Sequence, residues 1–154
     1  MDIHPIIILA SDHAGFRLKE AVRKDLEKRG YHIRDIGVFS EDPSDYPDSI
    51  IPAAEAVANS KGEALGIVFG GSGIGECIAA NKVKGIRAAL AYDTYTTIKS
   101  REHNDANVLC LGGRTVTKSL TLAKRLVRLW LATPFSEAER HVRRINKISS
   151  YENR

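Results

Sequence analysis

The sequence predicts a three-layer αβα fold of the Rossmann-like type: a five-stranded parallel sheet with helices on both faces, and one extra helix at the C-terminus. Two observations lead there. Five short apolar runs alternate with segments of helical periodicity, and Gly, Pro or polar clusters punctuate the junctions. Strands joined through helices run parallel, and parallel strands covered on both faces read as continuous apolar runs.

The elements follow in order. PIIILASD reads as a buried strand, and GFRLKEAVRKDLEKRG as a helix with Leu18, Val22 and Leu26 on one stripe and Gly30 as its stop. YHIRDIGV reads as strand two. The polar SEDPSDYPD is a loop before a helix that runs from about Ser49 through IPAAEAVANSK. Then come ALGIVF (strand three), GIGECIAANKV (helix), IRAALAY (strand four), DTYTTIKSREH (helix), ANVLCLGG (strand five) and TKSLTLAKRLVRLWLA (helix). After Pro134 a last helix, 136–152, has no strand to feed; Ala138, Val142, Ile145 and Ile148 supply its apolar side.

A chain of 154 residues is long enough for one core without staples, so a single domain spanning 1–154 is expected. No apolar run approaches the roughly 18 residues of a membrane span. PIIILA runs straight into charged SDH, unlike a signal peptide, so the cytoplasm is the expected compartment. Cys77 and Cys110 have neither CxxC nor zinc-ligand spacing and read as two buried thiols. The net charge of +4 is uneven: residues 118–147 hold eight Lys/Arg against Glu137 and Glu139, +6 in all, and the rest sums to −2. With no aromatic platform or nucleic-acid motif, this suits a small phosphorylated ligand or a solvated face, not nucleic acid.

In such a sheet, ligands lie beyond the carboxyl ends of the strands. SDH (11–13), GGSGIGE (70–76) and GGR (112–114) stand at those ends, whereas REHN (101–104) ends a helix, and folding must decide what it reaches. A glycine-rich turn entering a helix offers backbone N–H groups and the helix dipole to an anion. A dinucleotide turn would follow the first strand and carry a third glycine at position 76; this one follows strand three and carries Glu76. No Lys-Ser/Thr follows either, which excludes the Walker pattern. A carboxylate beside an N–H nest suits removal of a proton next to a carbonyl, with the amides holding the oxygen that gains charge. That is the chemistry of aldose–ketose isomerisation. The pattern alone leaves open that Glu76 merely complements the helix dipole. The dipole would lower its pKa, whereas a base at neutral pH wants it raised by burial or a neighbouring anion.

ASDHAGFRLKE, DYPD, GGSGIGECIAANKVKGIRAAL, SREHNDANVLCLGGR and PFSEAERHVRRI occur in that order over residues 6–150. Together they resemble the ribose/galactose isomerase family: the type B ribose-5-phosphate isomerases, with the allose- and galactose-6-phosphate isomerases. The resemblance implies interconversion of D-ribose 5-phosphate and D-ribulose 5-phosphate in the pentose phosphate pathway, without metal or cofactor. It implies a homodimer whose active site draws on both subunits, and leaves open a higher oligomer built from such dimers. One branch of the family carries a catalytic cysteine just before the glycine turn, where this chain has Gly70; the actinobacterial-like branch has GGSGxGE and uses the glutamate. Glu76 is therefore implied as the base between C1 and C2. Cys77 is no substitute, since one residue along a helix turns the side chain by about 100°.

By the same resemblance His103 helps open the sugar ring, Ser72 stands beside the reacting oxygens, and the amides of Gly71, Gly73, Ile74 and Gly75 form an anion hole. Asp12 and His13 contact sugar hydroxyls and phosphate, Tyr46 lines the sugar, and Asn104 holds a substrate oxygen. Arg114, Arg140 and Arg144 match the phosphate-binding arginines, whose fork geometry suits that task. Arg140 and Arg144 are i, i+4 on the last helix; Arg143 lies on another face, and His141 has no assigned role. Blander readings stay open: His103 on its own helix-end carbonyls, Asp12 as a cap, Tyr46 as packing, the arginines as solvated charges. Two other functions stay open too, the same proton transfer on a six-carbon phosphate such as allose 6-phosphate or galactose 6-phosphate, and a non-catalytic sugar-phosphate-binding module. Binding alone would not need Glu76, Ser72 and His103 together.

Overall fold

The computed structural model describes residues 4–154. Strands β1 (Ile6–Ser11), β2 (Ile33–Asp35), β3 (Ala64–Gly70), β4 (Ala88–Leu90) and β5 (Val108–Gly112) alternate with α1 (Phe16–Lys28), α2 (Pro47–Asn59), α3 (Ile74–Asn81), α4 (Thr94–Glu102) and α5 (Leu120–Ala132). Helix α6 (Glu139–Glu152) closes the chain. All strand pairs are parallel, in the order β2-β1-β3-β5-β4.

Some boundaries differ from expectation. Strand two shrinks to three residues, and α2 starts at Pro47, where a missing N–H costs nothing. The segment expected as one helix from 117 begins instead as a 3-10 turn, Val116–Lys118. Ser119 then caps α5 by accepting from the Leu122 N–H at 3.3 Å. The last helix starts at Glu139, three residues later than expected, because 136–138 form the turn that leads into it.

Successive strand residues face opposite layers. Ile7, Leu9, Phe69, Leu109 and Leu111 meet Leu18, Val22 and Leu26 of α1 and Val127 and Trp130 of α5. Ile8, Ala10, Val68 and Cys110 meet Ile50, Ala53 and Val57 of α2 and Ala80 of α3. Each large aliphatic side chain so buried contributes about 1.5–3 kcal/mol, far more than helix propensity per residue, so it is the sheet that holds the helices. Lys19 is the exception, a wholly buried ammonium between the rings of Phe16 and Phe39. Its charge is tolerated because Asp35 and Glu20 pair with it, which pins β2 to α1.

The strand order places the site. From β1 the chain moves outward to β2 and then returns to β3 on the other side of β1, so the connections diverge at the carboxyl ends of β1 and β3, where an open α/β sheet holds its ligand. Strand β5 slips between β3 and β4 and sets Gly70 opposite Gly112, bringing the two glycine loops side by side. Helix α6 stands apart. His141 is its one buried residue; Val142 is 37% and Ile148 55% exposed, so its apolar side is left uncovered within the chain. No helix of the described residues is long and apolar enough to cross a membrane.

Candidate active site

The loops after β3 and β5 are knitted together: the Gly113 N–H donates to the Gly70 carbonyl at 2.7 Å and the Arg114 N–H to the Gly71 carbonyl at 2.8 Å. Arg114 thereby crosses Gly71, where an added methyl would lie 3.5 Å from its Cδ and 3.8 Å from Nη1. Gly73 turns the chain into α3 at φ +81°, and a Cβ there would come within 2.7 Å of Leu90 Cδ1. The first-turn amides beyond it have no carbonyl partner within the helix. One of the four amides expected to hold an anion is already engaged, as the Ile74 N–H donates to Ser72 Oγ at 3.1 Å.

Glu76 follows in the first turn of α3 and is 3% exposed. Its carboxylate fills the space beside Gly70: a Cβ at position 70 would fall on its Oε1 and Cδ. The two opposing influences on this group can now be weighed. Burial pushes its pKa up, a hydrogen bond from its own backbone N–H pulls it down, and the charge of Asp12 with a hydrogen bond to that carboxyl pushes it up again. The net direction is upward, because desolvation outweighs the amide.

Asp12 is buried at the end of β1, and its Oδ1 accepts from the Gly15 N–H at 3.0 Å, so it shapes the turn into α1 while also facing Glu76. His13 is locked to the loop ahead of α2. Its N–H donates to Ser44 Oγ at 3.1 Å, and its Nδ1 accepts from the Ser44 N–H at 3.2 Å, which leaves the ring proton on Nε2. In the same loop Tyr46 lies over the glycine turn, its ring 2.8–3.1 Å from where a Cβ on Gly75 would be. Cys77, expected to be buried, is only half-buried, since it sits at the rim of the core cluster that encloses Cys110. Its sulfur points 3.4 Å from the Ala88 carbonyl, and interaction with the Cys110 thiol lowers its pKa to about 7.

The remaining sequence-predicted residues gather elsewhere. His103 caps the C-terminal end of α4, and Asn104 follows. The Asn107 N–H donates to the Arg87 carbonyl, just ahead of β5 and β4, so this turn lies at the amino ends of the strands, opposite Glu76. Asn104 lines a cavity of about 560 Å³ with Arg87, Ile148 and Tyr151. Helix α6 reaches the same end: the Ser136 N–H donates to the Glu102 carbonyl at 3.1 Å, and the His141 ring stacks on His103 with centroids 4.1 Å apart. Arg140 and Arg144 flank His141, both exposed. His103 is thus bound to an aromatic neighbour and not to its own helix-end carbonyls. Sequence reasoning left His141 without a role, although its spacing from Ala138 and Ile145 puts it on the helix's apolar side. Within one chain, then, Asp12, His13, Tyr46, Ser72, the glycines, Glu76 and Arg114 form one group, and His103, Asn104, Arg140 and Arg144 another.

Residues 7–148 match the model of a family described as Ribose/Galactose Isomerase. The chain is 46% identical over 147 residues to the ribose-5-phosphate isomerase B of Mycolicibacterium paratuberculosis, covering 95% of this chain and 91% of the relative. Its fold is similar to that of Clostridium thermocellum ribose-5-phosphate isomerase B, with a TM-score of 0.91 at 44% identity over 96% and 97% of the two chains. It is also similar to the ribose-5-phosphate isomerase B of Mycoplasma genitalium, solved with bound ribulose 5-phosphate, with a TM-score of 0.90 at 38% identity over 96% of each chain.

Proposed function

The chain belongs to the ribose/galactose isomerase family, and from that premise we propose that it interconverts D-ribose 5-phosphate and D-ribulose 5-phosphate in the cytoplasm as a single-domain enzyme. The observation that carries this reading is the buried carboxylate of Glu76, raised in pKa and set against a glycine turn beside Asp12. In the proposed cycle His103 helps open the furanose, since only the open chain exposes a carbonyl and an acidic C–H. Glu76 takes the C2 proton, the amides of the glycine turn and Ser72 hold the enediolate oxygens, and Glu76 returns the proton to C1. Asp12, His13, Tyr46 and Asn104 hold the sugar, and Arg114, Arg140 and Arg144 take the phosphate. These side chains supply both the base and the oxyanion stabilisation, so the cycle proposed needs no metal or cofactor.

The division of the site residues supports a two-fold dimer. Glu76 and His103 lie at opposite ends of the sheet in one chain, and the apolar side of α6 and Ile74 and Ile78 of α3 are exposed. Each site would then join the glycine-loop end of one copy to the His103 and α6 end of the other. Glu76→Gln chains refolded together with Arg140→Ala/Arg144→Ala chains should regain roughly a quarter of wild-type turnover, because half of randomly formed dimers carry one intact site. Mixtures no more active than the parents would rule out the shared site.

The test of substrate is ketose formation from ribose 5-phosphate and from allose 6-phosphate with chelator present. Faster turnover of ribose 5-phosphate is expected. Turnover of allose 6-phosphate alone would move the assignment to six-carbon sugars, and turnover of neither would leave a binding module. The pH profile tests the base. Glu76 works ionised and its pKa is raised, so kcat/KM should climb with pH through a limb above the ordinary carboxylate range. Asp12→Asn removes a negative neighbour and should move that limb to lower pH; an unmoved limb would mean that Asp12 does not act on the base.

A further inference from the structure

We propose that His141 is a positioning residue that holds the His103 imidazole for ring opening and joins it to the phosphate-binding arginines. This rests on the isomerase reading above, with His103 as the ring-opening group. His141 is 3% exposed on a helix that otherwise keeps to the surface. Its ring is tilted 34° against that of His103 at 4.1 Å between centroids, and Ser136 Oγ lies 2.6 Å from its Nδ1. Ser136 is itself fixed: its N–H donates to the Glu102 carbonyl, and its hydroxyl accepts from the Ala138 N–H at 3.2 Å. The Glu102 carboxylate stands 3.8 Å from His103 Nε2. His103 therefore rests on a ring that Ser136 ties to the residue next to it in sequence.

Chemistry agrees with the geometry. Burial lowers the His141 pKa, and the charges of His103, Arg140 and Arg144 lower it further against the opposing Glu102. The lowered pKa favours the neutral form of His141 beneath the His103 ring. Arg140 precedes His141 by one residue and Arg144 follows by three, so one turn of α6 carries both the phosphate grip and the support for the ring-opening group.

The experiment uses the intact protein and separates ring opening from proton transfer. Ribose 5-phosphate is a furanose and must be opened. Ribulose 5-phosphate, with O5 esterified, cannot close a furanose, so exchange of its C1 hydrogen with solvent deuterium reports on proton transfer alone. In His141→Ala, turnover of ribose 5-phosphate should fall on the order of a hundredfold. Deuterium exchange into ribulose 5-phosphate and inhibition by inorganic phosphate should stay within about threefold of wild type. Ser136→Ala should show the same selectivity with a smaller loss. Equal loss of turnover and exchange would make His141 a structural prop, and loss of neither would make it idle; either result overturns the proposal. A wild type that turns over neither ribose 5-phosphate nor ribulose 5-phosphate would instead refute the isomerase reading, and this inference with it.

Discussion

Glu76→Gln should lower turnover of ribose 5-phosphate by about 10³-fold, within the range by which a positioned general base accelerates proton transfer. The amide matches the carboxylate in shape, so the packing beside Gly70 and the start of α3 should survive and KM should change little. Thermal stability should hold or rise, because the substitution removes a desolvated acid whose protonation is favoured by burial and by Asp12. Steady-state kinetics and a melting curve on the same sample check both halves. A kcat within about tenfold of wild type would place the base elsewhere, since a positioned base is worth more than that.

Gly70→Ala should be nearly as damaging, although it deletes no functional group. The new Cβ would occupy the position of Glu76 Oε1 and Cδ, and the carboxylate, enclosed by β3, Asp12 and the glycine turn, must swing away. A displacement of about 1 Å in a reacting group can cost on the order of a hundredfold in rate, and overpacking should remove about 1–3 kcal/mol of stability. The mechanism is checked by the double variant. If the methyl acts only by evicting the base, Gly70→Ala added to Glu76→Gln should cost turnover nothing more, a full departure from additivity. A further large loss would mean that the methyl damages the glycine turn itself. Any side chain at 70 competes with a carboxylate at 76 for one volume.

Much of this molecule was legible because its signals are local. Leu18, Val22 and Leu26 mark a helix by spacing alone, and ALGIVF marks a strand buried on both faces. The glycines at 70–75 with Glu76 announced a strand-to-helix turn with an acid in the first turn of the helix, and the structure puts them there. Boundaries were less legible where tertiary contacts set them: β2 ends at Asp35, whose carboxylate accepts from the Gly37 N–H and pairs with buried Lys19. A thiol that spacing alone would bury, Cys77, stays half-exposed because α3 lies at the rim of its core cluster.

By itself the sequence determined the layered α/β fold, the glycine turn and the identity of the acid within it, all matters of residues within a few positions of one another. Only the tertiary structure decided how that acid behaves, because the helix end lowers its pKa from nearby while the burial and the Asp12 that raise it come from chain far away in sequence. The structure alone also set β5 between β3 and β4, sent His103 and the α6 arginines to the opposite end of the sheet from Glu76, and stacked His141 under His103. These arrangements follow from which apolar faces cover one another in space, and the order of residues along the chain does not encode that in any local pattern.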